Sequence, residues 1–246
     1  MTRNDDVERQ VLTGTDGGPV LTYVRGERAG RPWADLVEVV GTADPVPTVL
    51  SRMSGWVVSG SVGLGEELVA HGARVLRHAH GMRRELRPAP PEPAPLPPGV
   101  RAVAYDHDPR ALLPAWRAAF GPGHPDHHPG TDEEAFHQRL VPLLEGEVLG
   151  PVLPSSVLAV DGGGRVLGGV ILTDRDGQPW IAEVFRAPGE HHRGLGDALL
   201  RRALADAAGR GLASVELVVT DGNPARRGYE RLGFVHTLTA LTVVVP

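Results

Sequence analysis

A proline-dense segment cuts this chain in two before any secondary structure is considered. Between Pro88 and Pro98, seven of eleven residues are proline. Proline fixes φ near −65° and carries no N–H, so neither a helix interior nor a paired central strand can run through such a stretch. The composition predicts polyproline II at about 3.1 Å per residue, a semi-rigid linker of roughly 34 Å. The 246 residues therefore read as a short N-terminal unit, 1–87, a linker, 88–98, and a domain of ordinary size, 99–246.

Composition then removes whole classes of chemistry. Apolar residues make up 41% and charged residues 22%, globular values, and no apolar run approaches the ~18 residues a membrane helix needs. The stretch Met1 to Gln10 holds Asp5, Asp6 and Glu8 without an apolar core, so no secretory leader is read there and a cytoplasmic location is expected. All 25 basic residues are arginine, which leaves no lysine for a Schiff base or a P-loop. The count of cysteine is zero, which removes thiolate nucleophiles, disulfides and cysteine-ligated zinc. A net charge of −5 without a basic run gives no electrostatic footprint for nucleic acid or an anionic membrane. Small molecules are the expected partners.

Within the larger domain, Asp108 before Pro109 reads as an N-cap with proline at the first helical position, and Leu112, Trp116 and Phe120 give the stripe of a helix over 109–120. A polar loop, Gly121 to Gly130, leads to Thr131 and Glu134, a capping box, followed by Phe136, Leu140, Leu143 and Leu144 at helical spacing. Val157–Val160 and Val166–Leu172 form a hairpin across Asp161 to Gly164, and Trp180–Arg186 is the next strand. A helix starting near Gly194 buries Leu200, Leu204, Ala207 and Ala208 and closes at Gly209 and Gly211. Val215–Val219 is a buried strand, a short helix carries Ala225, Gly228, Tyr229 and Leu232 on one face, and Leu238–Val245 is the last strand. The order is ααβββαβαβ, a mixed α/β (α+β) domain.

The stretch Val184 to Leu199 runs from a strand end through a proline turn into a helix whose first residues include Gly194 and Gly196. Helix N-terminal N–H groups lack internal partners and sit at the positive end of the dipole, so this geometry suits a pyrophosphate; the alternative is an ordinary glycine-rich helix start. It is not a dinucleotide fingerprint, because the third glycine of G-x-G-x-x-G falls on Leu199.

The segment from Pro188 through His191, Gly194 and Gly196 resembles the acyl-CoA-binding motif of the GNAT N-acetyltransferase superfamily. His191 stands in its usual Arg or Gln slot, and Arg186 stands where an apolar residue is common. A second stretch, Asn223, Pro224, Ala225, Tyr229, Glu230, Leu232, Gly233 and Phe234, looks like that family's closing pattern, although counting back from Tyr229 puts its usual Asn position on Gly222. The resemblance covers about 101–245. It implies the GNAT acyl-CoA N-acyltransferase fold, a mixed central sheet flanked by helices, with a smaller β-rich unit at the N-terminus. It also implies acetyl-CoA as co-substrate, no metal, and direct transfer of acetyl to an amine of a small acceptor. In that reading Val184, Phe185 and Arg186 align the pantetheine arm and polarise the thioester carbonyl, while His192, Arg193, Gly194, Leu195, Gly196 and Asp197 cradle the pyrophosphate, with Asn223 a further contact. Glu183 is the candidate base and Tyr229 the candidate acid for the leaving thiolate. The bland readings are a surface strand glutamate and a core aromatic.

His124, His127, His128 and His137 carry no H-E-x-x-H framing, so they read as a polar loop able to touch the acceptor rather than as zinc ligands. The alternative function is a non-catalytic acyl-CoA-binding regulatory module; a dinucleotide oxidoreductase ranks third, and no G-x-S-x-G supports a serine hydrolase.

In the N-terminal unit, strands are expected at Val20–Val24, Leu36–Val40 and Trp56–Val58, a helix at Gly65–Ala70 and a tail at Val75–Leu86. Laying Val57 on Val218 without gaps lays Gly72 on Gly233 and Ala73 on Phe234. The unit therefore reads either as a degenerate partial GNAT copy, making the chain a tandem GNAT-like protein, or as an unrelated β-rich cap. Leu68 falls at the Tyr229 position, so a copy would be inert. The unit is expected to shape the acceptor site or an oligomer such as a homodimer.

Overall fold

The computed structural model describes residues 8–28, 30–90 and 92–246. The chain divides into two compact units, residues 1–80 with 238–246, and residues 81–237.

In the first unit, β1 (Arg9–Thr13), β2 (Pro19–Arg28) and β3 (Arg31–Val39) form an antiparallel meander. Helix α1 (Pro45–Arg52) then returns the chain so that β4 (Val57–Gly60) pairs parallel with β3, Trp33 opposite Val57 and Ala34 opposite Val58. Parallel neighbours need such a crossover. The Asp44 carboxylate accepts from Val46 N–H at 2.9 Å, and Pro45 supplies the first helical position. Helix α2 (Val62–Ala70) follows, capped by Ser61, and leads into β5 (Arg74–Glu85). The final strand of the chain pairs antiparallel with β4, Val243 opposite Val58. Leu21, Val49, Leu68 and Val243 are fully buried at the centre of this unit's core. The expected strand at 20–24 and helix at 65–70 lie within longer elements and the expected strand at 36–40 overlaps β3, which ends at Val39, whereas β1 and α1 were not anticipated from the sequence.

The second unit holds β6 (Arg101–Ala104), α3 (Pro109–Ala119), α4 (Asp132–Ala135), a π-helical turn at Phe136–Leu140, α5 (Val141–Leu144), β7 (Val157–Val160), β8 (Val166–Arg175), β9 (Gln178–Arg186), α6 (Leu195–Gly209), β10 (Ser214–Thr220), α7 (Ala225–Arg231) and the start of β11 (Val235–Val244). β6 precedes the helices, an element missing from the sequence reading. The capping box forms in full, with Thr131 N–H donating to Glu134 and Glu134 N–H to Thr131. The second helix opens into the π turn just before Pro142, whose missing N–H removes an i−4 bond; Val141 N–H donates to Phe136 O instead.

Strands β6 to β9 are antiparallel neighbours, and β10 joins β9 in parallel through the α6 crossover. Strand β8 explains the two-sided packing. Leu167, Val170 and Leu172 enter one core with α6, while Val166 and Ile171 enter another with Trp116 and Phe136. A strand covered on both faces reads as a continuous apolar run, and VLGGVIL does so.

The end of β5, from Gly81, belongs to this second unit: Met82 and Leu86 lie in its core, and Leu86 N–H donates to Ala213 O at 2.9 Å. The proline segment lies on the same unit. Leu96 packs against its core, and Arg202 of α6 donates to Ala94 O at 2.6 Å.

Candidate active site

The parallel register of β9 and β10 joins Trp180 to Glu216. Val184 to Arg186 lie beyond that pair, at the carboxyl end of β9. The carboxyl ends of parallel strands are where open α/β sheets bind ligands. On its other side β9 carries a bulge: Ile171 faces Glu183 and Leu172 faces Ile181, which leaves Ala182 without an opposite residue. A bulge re-aims the side chains after it, and here Glu183 and Val184 follow.

From Arg186 the chain turns through Gly189 and a single 3₁₀ turn, Glu190–His192, into α6. Gly194 holds φ +80° at the N-cap, a left-handed conformation that favours glycine. A Cβ placed on Gly194 or Gly196 would meet nothing within 4 Å, so both face open space. No side chain caps this helix. Ala198 N–H is already bonded to Gly194 O, and the N–H groups of Leu195, Gly196 and Asp197 stand ahead of it. Asp197 would repel an anion there, but Arg201 donates to it at 2.7 Å and offsets its charge. His192 Nδ1 lies 3.2 Å from both Ala187 O and Pro188 O, fixing the turn, while Arg193 and Glu190 pair loosely at 3.7 Å in solvent.

Tyr229 of α7 is 8% exposed, its ring edge-on to Phe234 at 5.7 Å. Its phenol is held well above the ordinary tyrosine range, first by burial and then by the negative charges of Glu183 and Asp126. These three side chains therefore share one electrostatic neighbourhood. The phenol stays protonated through neutral pH, as an acid requires.

Asp126 was missing from the sequence reading. It sits in the histidine loop, and its carboxylate accepts from Thr220 Oγ1 at 2.5 Å and from Asn223 Nδ2 at 2.9 Å. The Asn223 side chain is thus used twice, since its Oδ1 also accepts from Ala225 N–H at the start of α7. No sequence signal marks Asp126, whose two partners are almost a hundred positions away.

The loop is fastened elsewhere too. Arg117 donates to His128 O and Gly130 O at 2.8 Å, and His127 Nδ1 lies 2.8 Å from Phe120 O. His124 Nδ1 accepts from Asp126 N–H, and His128 stacks on Trp116 with ring centroids 6.1 Å apart. Burial, then the charges of Arg139 and Arg117, push His128 down to about 4. His137 faces Glu133 at the surface, away from these groups. Among the described residues no three His, Cys, Asp or Glu side chains converge to hold a metal ion.

Comparison with known proteins places this geometry in context. The acetyltransferase (GNAT) family profile matches residues 113–234. A mycothiol acetyltransferase of Actinosynnema mirum is 33% identical over 181 residues, 71% of this chain and 56% of that protein. One from Clavibacter michiganensis is 29% identical over 254 residues, 92% of this chain and 80% of that protein. The chain thus spans little more than half the length of the first relative. Among solved structures, a GCN5-related N-acetyltransferase from Sphaerobacter thermophilus superposes with a TM-score of 0.65 at 22% identity, covering 98% of this chain and 82% of that one.

Proposed function

We propose that this chain, a member of the GNAT acetyltransferase family, moves an acetyl group directly from acetyl-CoA to an amine of a small acceptor. The observation that carries the reading is an uncapped, glycine-lined α6 N-terminus in a unit that also holds a buried Tyr229 whose phenol feels the Glu183 carboxylate. The N–H groups of α6 bind the pyrophosphate, and open space at Gly194 and Gly196 lets the phosphates reach them. The backbone of Val184 to Arg186, at the carboxyl end of β9, aligns the pantetheine arm, and an N–H there donates to the oxygen that becomes negative in the tetrahedral intermediate. An alkyl ammonium with a pKa near 10 cannot attack until it loses a proton, and Glu183 takes it, directly or through water. The nitrogen then attacks the thioester carbon, the C–S bond breaks as Tyr229 gives its proton to the departing thiolate, and the second proton shed by the new amide nitrogen returns, directly or through water, to the Tyr229 oxygen. The names of the two relatives, mycothiol acetyltransferases, favour a small-molecule acceptor.

The N-terminal unit reads as a degenerate partial copy. Its run of β3, α1, β4, α2 and β5 has the order of β9, α6, β10, α7 and β11, and Gly72 and Gly233 both follow a helix at positive φ, 96° and 83°. Where α6 leaves its N–H groups bare, Asp44 occupies those of α1, so this copy has no cradle.

The test exploits the absence of cysteine. Free CoA is followed with a thiol reagent while the protein is offered acetyl-CoA and a panel of amino sugars, amino-acid amides and alkyl diamines. Acceleration by at least one amine is expected. Tight acetyl-CoA binding without turnover on any amine would replace the reading with a regulatory acyl-CoA-binding module.

A further inference from the structure

We infer that Asp126 is a positioning residue for the general acid, coupling the loop over residues 121–130 to the helix that carries Tyr229. The inference rests on the proposed acetyltransfer only in naming Tyr229 as that acid; the coupling itself is geometric. One carboxylate receives two donors from the β10–α7 junction, Thr220 Oγ1 at 2.5 Å and Asn223 Nδ2 at 2.9 Å. Asn223 in turn holds the first turn of α7 through Ala225 N–H at 2.9 Å. Tyr229 lies one turn further along the same short helix. Seven residues make too short a helix to be stable alone, so its placement depends on what grips its ends.

The C-terminal end is closed by backbone. Gly233 N–H donates to Glu230 O and Phe234 N–H to Tyr229 O, with Arg84 donating to Leu232 O. The N-terminal end is closed by the Asn223 side chain, and the amide of Asn223 is oriented by Asp126. The grip is charge-assisted on both oxygens, the stronger kind of hydrogen bond. Loop 121–130 is itself anchored to α3 by Arg117 through His128 O and Gly130 O. Displacement of this loop would therefore be transmitted to Tyr229 through Asp126 and Asn223. The coupling ties the position of the loop to the alignment of the acid.

Replacing Asp126 by Asn removes the negative charge that assists both hydrogen bonds, with almost no change of shape. Hydrogen exchange of the full chain then reads the coupling directly. Asp126→Asn should exchange about tenfold faster both in 121–130 and in 221–229, with α6 and β8 unchanged. Asn223→Ala should produce the same α7 effect, the double variant should add nothing to either single one, and Asp126→Glu should restore part of the protection. With the amine selected by the panel, Asp126→Asn should lower kcat at least tenfold while KM for acetyl-CoA stays within twofold. Faster exchange confined to the loop, or effects of the two substitutions that multiply, would overturn the coupling. If acetyl-CoA failed to bind the wild-type chain, the enzymatic reading would fall, and the exchange result would still decide whether Asp126 holds α7.

Discussion

In the proposed acetyl transfer Tyr229 is the general acid, and its environment gives two expected outcomes. Burial and two carboxylates hold the phenol above its ordinary value, so kcat should show no alkaline loss assignable to it below about pH 10. Tyr229→Phe should lower kcat by roughly 10²- to 10⁴-fold, the usual worth of a general acid, and leave acetyl-CoA affinity unchanged in a binding titration. Equal loss of binding would show that the ring supports the pocket instead. His128 gives a stability prediction with a fixed sign. Its folded value lies near 4, below the ordinary 6.5, so the unfolded chain gains a proton that the folded chain refuses as pH falls between those values. Stability should therefore fall on acidification through that window, by about 1–2 kcal/mol once partial exposure is allowed for. Denaturant melts at pH 7 and pH 4.5 should show this loss, and His128→Asn should lessen it. At this scale the sequence proposes Glu183 from its strand position and Tyr229 from the family resemblance, and the Tyr229 phenol feels the Glu183 charge in the structure. It could not disclose Asp126, because nothing local distinguishes it from the other polar residues of its loop.

Among the elements, α6 carries the strongest requirement. Gly194 sits at φ +80° and faces open space, so any side chain there is strained and intrudes where a phosphate would lie. Gly194→Asp adds negative charge at the same place and should weaken acetyl-CoA binding at least 100-fold by calorimetry, with the melting profile otherwise retained. An unchanged affinity would remove the α6 N-terminus from the cofactor site. Helices with clear punctuation were legible in the sequence. Asp108-Pro109, the Thr131–Glu134 capping box and the Asp161–Gly164 hairpin all form where their chemistry placed them. The same logic was available for α1, because Asp44-Pro45 repeats Asp108-Pro109. It was obscured by Pro47 and by a short apolar stretch that fits strand or helix equally well. The strand Arg101–Ala104 was missed for a different reason. None of its four residues is fully buried and their burial does not alternate, and its partner, β7, lies across more than fifty residues of helix and loop.

For the whole molecule, the proline segment marks a change of composition, while the compact units divide between His80 and Gly81. Composition reports where chain is stiff; burial reports where it packs. Met82 and Leu86, each 1% exposed, belong to the core around α6 and Tyr229, and Arg83 reaches Glu216 at 3.0 Å. A fragment starting at Gly99 should accordingly lack a cooperative melt, and Leu86→Ala in the full chain should cost about 2–5 kcal/mol by denaturant titration. The most direct test of the account is an acetyl-CoA titration of the wild-type chain followed by thermal stability, with Gly194→Asp alongside. Saturable stabilisation is predicted, about 2.7 kcal/mol at a ligand concentration 100 times the Kd, and lost in the variant. A wild-type melt indifferent to acetyl-CoA would contradict it.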